Sequence, residues 1–329
     1  MLTPEFINEK ERIRESLTRT GLKAASIAVD TFADPVFQKG SFASIDPTVR
    51  DLAIERAKEA IDFARSIDCN IMSYDDGYSE DERLLDIFNR YGVKATFNLN
   101  SGLFQETYNG HIRIPKEKIA ELYKGHEVAT HSYTHPTLAR CPLVQIAEEI
   151  LQDRKELEMI TGGLVRGHAY PNGSYNEEIK ALLEKLGIAY GRVAATKADF
   201  TLLRDRMEWY PTCHHNDSKL MELANFFVNF KEKWCMKLMY VWGHSYEFSD
   251  DNNWEVIEEF CARVGNRDDI WYATNIEIID YMEVLERLQF AASGQGVFNP
   301  SSQSAWLEID NERVVEVPAG KYVDLQEKG

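Results

Sequence analysis

The sequence predicts an α/β fold, a (β/α) barrel or open sheet of parallel strands, and three observations carry that prediction. Apolar runs of strand length alternate with amphipathic helical patterns for most of the chain. Helical patterns stop repeatedly on glycine, at Gly92, Gly187 and Gly265, as helix ends do. The chemically notable residues follow strand-like runs: Asp75 and Asp76 after "NIMSY", His131 after "EVAT", His244 after "KLMYVWG". That is where parallel α/β barrels keep their chemistry.

In chain order, "GLKAASIAVDTF" is the first strand candidate after a charged N-terminal helix. "DPTVRDLAIERAKEAIDFARSID" reads as a helix, with Asp46 able to cap it and Pro47 suited to its first turn. Its Val49, Ala53, Ala57, Ile61 and Ala64 share one face. "CNIMSY" (strand), "EDERLLDIFNRY" (helix), "KATFNLN" and "EVAT" (strands) follow, then the helices "LVQIAEEILQDRKELEMI", "EIKALLEKLG" and "WEVIEEFCARVG". After Phe290 the helical period disappears. "AWLEI", "RVVEV" and "KYVDL" read as a short β tail. The expected division is an extension over 1–68, a barrel over 69–290 and a tail over 291–329.

Composition narrows the partners. The 329 residues carry 37 Lys and Arg against 54 Asp and Glu, a net charge of -17. So acidic a surface repels nucleic acid and anionic lipid. The five cysteines include no CxxC pair and are odd in number, which fits reduced thiols rather than a disulfide frame. The N-terminus lacks the apolar core of a signal peptide, and no apolar run is long enough to span a bilayer. The expectation is therefore a cytoplasmic chain, with oligomeric state open.

Two adjacent carboxylates at a strand end repel each other unless each has its own partner. His131 and His135 stand at HxxxH spacing, which can bring both rings to one side of a helix or tight loop. Two neutral imidazoles and a carboxylate make a three-ligand metal site with open positions. Asp76 could be the third ligand, leaving Asp75 as a base. Taken singly, an HxxxH pair is common by chance, and "DDG" is an ordinary turn.

Read in order, however, "SYDDG", "HSYTH", "RGHAYPNGSYN" and "VWGHSYEF" resemble the successive motifs of the polysaccharide deacetylase family, the NodB-like carbohydrate esterases. The resemblance covers about Cys69 to Phe290. It implies a distorted seven-stranded barrel. It implies that Asp76, His131 and His135 hold a divalent metal, with zinc the default and cobalt, nickel, manganese or iron compatible. It makes Asp75 the general base, Arg166 the partner that keeps it ionised, and His244 the general acid. The backbone N–H of Asn172, after Pro171, would help hold an oxyanion, with Tyr170 beside it. Trp242 would wall the acetyl or sugar site. The implied reaction removes N- or O-linked acetyl groups from a saccharide. Two features depart from the pattern: Arg166 lies five residues before Pro171, and the acid that tunes His244 has no clean match, Asp199 and Asp205 both being candidates. His214 and His215, in "PTCHHND", read first as solvated loop histidines, with contact to substrate as the alternative.

A second resemblance lies upstream. The segment from Gly21 to Asp68 is similar to a strand–loop–helix piece of the xylose isomerase family, a TIM barrel. Asp34 stands at that family's catalytic His position and Lys39 at its Asp position, so isomerase activity is not implied. This unit is expected to bring the barrel from seven strands towards eight by covering an open edge. Alternatives to the deacetylase are a hydrolase of a non-sugar linear or cyclic amide and a non-catalytic chimeric or carbohydrate-binding barrel.

Overall fold

A computed structural model describes residues 68–230, 236–309 and 313–326. The chain divides into two compact units, 1–65 with 308–313 and 66–307 with 314–329, and nearly all of the described residues belong to the second. The expected N-terminal helix and isomerase-like strand and helix lie outside the described residues.

The strands of the second unit are β1 (Asp68–Asp75), β2 (Ala95–Leu99), the hairpin β3 (Thr107–Tyr108) and β4 (His111–Ile112), β5 (Glu127–Thr130), β6 (Gly167–Ala169), β7 (Tyr190–Arg192), β8 (Cys213–His214), β9 (Lys237–Gly243) and β10 (Ile270–Tyr272). The helices between them are α1 (Asp81–Arg90), α2 (Lys116–Leu122), α3 (Leu143–Thr161), α4 (Glu177–Lys185), α5 (Leu220–Asn229), α6 (Glu247–Asp250), α7 (Trp254–Val264) and α8 (Asn275–Arg287). Seven parallel strands follow the order β7-β6-β5-β2-β1-β9-β8. The two ends of that curled wall meet at a single parallel bridge between Arg192 and Trp209, just before β8. This is the expected α/β barrel, distorted and seven-stranded.

Strands buried on both faces explain the near-continuous apolar runs. Along β1, Met72 and Tyr74 pack outward with Leu84, Leu85, Ile87 and Phe88 of α1. Ile71 packs with Leu238 and Tyr240 in a separate inner cluster. Alternation then sends Ser73 and Asp75 to the inner face as well. Gly162, at φ 72, ends α3 in the left-handed conformation that favours glycine. Asn176 caps α4 through its side chain, and Thr274 with Glu277 forms a capping box on α8.

An eighth parallel strand is present among the described residues, but it is β10. It pairs with the lower half of β1, Asp68 opposite Ile270 and Asn70 opposite Tyr272, while β2 takes the upper half from Met72 to Asp75. The chain then turns into α8, whose first turn enters the base of the barrel. There Asn275 donates its N–H to Thr96 Oγ1 (3.0 Å) and its side chain to the Tyr240 hydroxyl (2.6 Å). Ile276 N–H reaches Glu127 Oε2 at 2.9 Å.

Beyond α8, β11 (Gln289–Phe290), β12 (Gly296–Phe298) and β15 (Tyr322–Asp324) form one small sheet, and β13 (Ala305–Ile309) with β14 (Arg313–Val317) another. These strands fall on "AWLEI", "RVVEV" and "KYVDL". Among the described residues no helix is long and apolar enough to cross a membrane.

Candidate active site and metal centre

The carboxyl ends of β1, β5, β7, β8 and β9 open on one face of the barrel, and the chemistry-bearing side chains gather there. Asp75 is the last residue of β1, inward-facing and 2% exposed. Arg192, the last residue of β7, is buried beside it and donates to both of its carboxylate oxygens. Asn98 of β2 adds a hydrogen bond of 2.8 Å to Asp75 Oδ1. Burial alone would raise the Asp75 pKa, but the Arg192 guanidinium holds it well below the ordinary carboxylate range. Asp75 is thus a buried carboxylate kept ionised.

This corrects the expected partner. Arg166 pairs instead with Asp280 of α8 at 2.7 Å. It precedes β6, so it sits at the amino end of the wall strands, whereas Asp75 sits at the carboxyl end. A side chain at one end of a parallel barrel cannot serve the other. The signal for Arg192 was an arginine closing the apolar run "IAYGRVA".

Asp76 turns away from the strand at φ 75. A non-glycine residue in the left-handed region costs on the order of 1 kcal/mol. Asp76 is held there by its N–H to Asn98 O (2.9 Å) and by Arg113 on its carbonyl (3.1 Å). Ser132 and His135 are also left-handed, at φ 66 and 58. This turn folds His135 back toward His131, their rings 4.8 Å apart. The Asn100 amide fixes the turn through the carbonyls of His131 and Ser132. Ligand atoms of Asp76, His131 and His135 all lie within 4.8 Å of one another.

The donor chemistry fits a divalent cation. His131 Nδ1 lies 2.8 Å from the Ala169 carbonyl. Nδ1 must therefore carry the proton, which leaves Nε2 with a free lone pair. Burial lowers the His131 pKa to about 4, so the ring is neutral, as a ligand must be. His135 Nε2 stands 3.8 Å from Asp76 Oδ1, too far for a hydrogen bond and suited to two ligands of one ion. Arg113 Nη1 lies 3.3 Å from the same oxygen and orients that carboxylate.

On the far side, His244 Nε2 lies 4.0 Å from Asp75 Oδ2. Its Nδ1 is 2.7 Å from Glu247 Oε1, so Glu247 holds the ring. Burial opposes its charge, yet Glu247 and the nearby Asp75 raise its pKa above the ordinary histidine value. The acid that tunes His244 is thus neither Asp199 nor Asp205. Asp205 binds Lys180 at 2.7 Å, and Asp199 accepts from Thr201 N–H in a local turn. The clue in the sequence was a glutamate three residues after His244.

The remaining predicted residues divide between site and core. Trp242 lines the site, its ring 4.5 Å from the Arg192 guanidinium and 4.8 Å from His214. Pro171 opens a tight turn in which Asn172 is left-handed at φ 56, and the Asn172 N–H has no partner among the described residues. Tyr170 is core rather than substrate wall: it is buried with Ile146 and Ile179, and its hydroxyl donates to Met207 O at 2.8 Å. His214 and His215 are not solvated loop residues. They close β8 and start the next turn at the same face, and His215 is fully buried.

Residues 65–191 match the family model for polysaccharide deacetylases. The peptidoglycan-N-acetylglucosamine deacetylase PgdA of Listeria monocytogenes is 30% identical over 120 residues, 36% of this chain and 23% of that protein. The chitooligosaccharide deacetylase of a Bradyrhizobium species is 30% identical over 121 residues, 36% of this chain and 52% of that protein. The matched stretches thus span about half or less of these curated relatives. A family 4 carbohydrate esterase from Streptomyces lividans, solved with acetate, is 16% identical with a TM-score of 0.41, covering 61% of this chain and 88% of that one. The xylose isomerase of Thermus thermophilus is 35% identical over 60 residues, only 18% of this chain and 16% of that enzyme, a partial match.

Proposed function

We propose, from the match of residues 65–191 to the polysaccharide deacetylase family model, that the chain is a metal-dependent hydrolase removing acetyl groups from a carbohydrate. The barrel over 69–290 is the catalytic unit in this reading, the N-terminal segment an extension and the last residues a tail. The observation that carries it is the placement, at one barrel mouth, of a ligand-type triad (Asp76, His131, His135) beside a buried Asp75 neutralised by Arg192, with His244 4.0 Å from that carboxylate.

Asp76, His131 and His135 would hold a divalent cation, zinc by its liking for nitrogen and oxygen donors, which when bound acidifies water and polarises an acyl oxygen. Asp75 takes the proton of the attacking water. It is ionised because Arg192 neutralises its burial, and a hydrogen bond from Asn98 fixes its orientation. The free N–H of Asn172 is a donor for the oxyanion of the tetrahedral intermediate. His244, held by Glu247, delivers a proton to the departing nitrogen or oxygen from the other side. Trp242 gives the sugar or acetyl group an apolar wall.

The test is hydrolysis of an acetylated chitooligosaccharide and an acetylated xylan, with a cyclic and a linear amide as contrasts, in zinc-loaded and chelator-stripped protein. Acetate release should require metal. Asp75→Asn should lose about 10²–10⁴-fold in kcat/KM while retaining zinc, whereas His131→Ala with His135→Ala should lose both. Turnover only of the amides would move the substrate class, and no turnover by loaded protein would remove the enzyme reading.

A further inference from the structure

A second group of donors lies next to the first and has no part in it. β8 ends at His214, which bridges to Trp242 of β9, and His215 follows at once. Both rings reach the same atom of α6: Nε2 of His215 lies 3.0 Å from Glu247 Oε2, and Nε2 of His214 lies 3.5 Å from it. The ligand atoms of all three residues fall within 4.8 Å of one another.

His215 is the informative member. It is fully buried, stacked on Phe248 at 4.1 Å and on Tyr74 at 5.7 Å. Its Nδ1 lies against Gly243, where a Cβ would come within 2.1 Å of it. The ring is therefore fixed with Nε2 toward Glu247. Yet neither of its nitrogens makes an aligned hydrogen bond. An imidazole buried with neither nitrogen aligned to a partner is costly, and the Glu247 oxygen at 3.0 Å attracts the ring without a linear hydrogen bond.

Ligands of one tetrahedral ion with bonds of about 2.0–2.1 Å stand roughly 3.3 Å apart, and their lone pairs point at the ion rather than at each other. Contacts of 3.0 and 3.5 Å without hydrogen-bond alignment have that form. Two contacts must give way when an ion enters. The Asn216 N–H lies 3.2 Å from His214 Nδ1, and the Asn216 amide donates to Glu247 Oε2 at 3.0 Å. Asn216 is exposed, so both of its groups can turn to water. Glu247 Oε1 stays with His244, so the carboxylate can hold the ring with one oxygen and an ion with the other.

We propose that His214, His215 and Glu247 form a second divalent-cation site, of the two-imidazole, one-carboxylate kind that suits zinc, cobalt or nickel. It is separate from the triad of Asp76, His131 and His135 and does not depend on the hydrolase reading.

The experiment is equilibrium dialysis of the full chain against zinc, with bound metal measured by mass spectrometry. Four proteins are compared: unaltered, His131→Ala/His135→Ala, His214→Ala, and all three changes together. His214 is chosen because its edge is exposed; Glu247→Gln, which keeps the side-chain volume, is a second probe should His214→Ala fail to fold. Two equivalents are expected for the unaltered chain, one for the double variant, one for His214→Ala or Glu247→Gln, and none for the triple. In the double variant, cobalt should give the visible absorption of a nitrogen- and oxygen-liganded ion. A double variant that binds no zinc overturns the proposal, and so does His214→Ala at full stoichiometry. Failure of the first site has another signature: the double variant keeps the unaltered value while His214→Ala loses an equivalent.

Discussion

Arg192 and Arg166 carry the same charge in different surroundings, and substitutions should separate them. The Arg192–Asp75 pair is almost wholly enclosed, with side chains 1% and 3% exposed. Removing one partner of such a pair leaves an uncompensated buried charge, at about 3–5 kcal/mol. The Arg166–Asp280 pair is 30% and 40% exposed, where an ion pair contributes up to about 1 kcal/mol. Arg192→Leu should thus lower the urea midpoint steeply and abolish acetate release, while Arg166→Ala should leave both near the unaltered values. The reverse result would return Asp75 to its expected partner. Asp75, Asp76, His131 and His135 were legible because each pair stands within a few positions of sequence. Arg192 was not, because 117 residues separate it from Asp75, and only the closure of the wall brings them together. Glu247 is close in sequence to His244, but only the first turn of α6 brings its carboxylate onto the His244 ring.

The strands show why some elements can be read and others cannot. β1, β2 and β9 have 8, 5 and 7 residues, enough for an apolar run to stand out. β6, β7, β8 and β10 have 3, 3, 2 and 3. Such lengths hold barely one period of alternation, so no local pattern marks them. Helices α1, α4 and α7 were legible through period and terminal glycine, and α3 through its length, the four having 10, 9, 11 and 19 residues. The end of β9 makes the sharpest demand on one position. Gly243 allows the His215 ring against the strand, and an added Cβ would stand 2.1 Å from Nδ1. The ring is walled by Phe248 and Tyr74 and has nowhere to retreat. Gly243→Ala should therefore cost about 1–3 kcal/mol through overpacking. It should also displace His215 from Glu247, read as a changed His215 ring resonance in NMR spectra. An unchanged resonance and midpoint would show that the ring is not held as described.

At the scale of the molecule, the floor of the barrel couples stability to pH. Glu127 accepts from Thr96, Tyr190 and the Ile276 N–H, and the N-terminus of α8 favours its charge. Burial outweighs them and raises its pKa from 4.5 to about 7. A carboxylate whose pKa is raised by folding binds its proton more tightly in the folded chain. Its contribution is therefore complete below about pH 4.5 and is lost as pH rises through about 7. The loss is on the order of 3 kcal/mol across that window. Denaturation midpoints of the unaltered chain should fall from pH 5 to 7, and Glu127→Gln should flatten that fall. A parallel fall in the variant would place the titration elsewhere, Asp81 and Asp153 being buried carboxylates that are raised in the same sense.

The first turn of α8 and its bonds to Thr96, Tyr240 and Glu127 stopper the barrel beneath the reacting groups. Among the described residues the base is thereby filled by protein, and on the proposed reading a substrate meets Asp75 and His244 from the carboxyl ends of the strands.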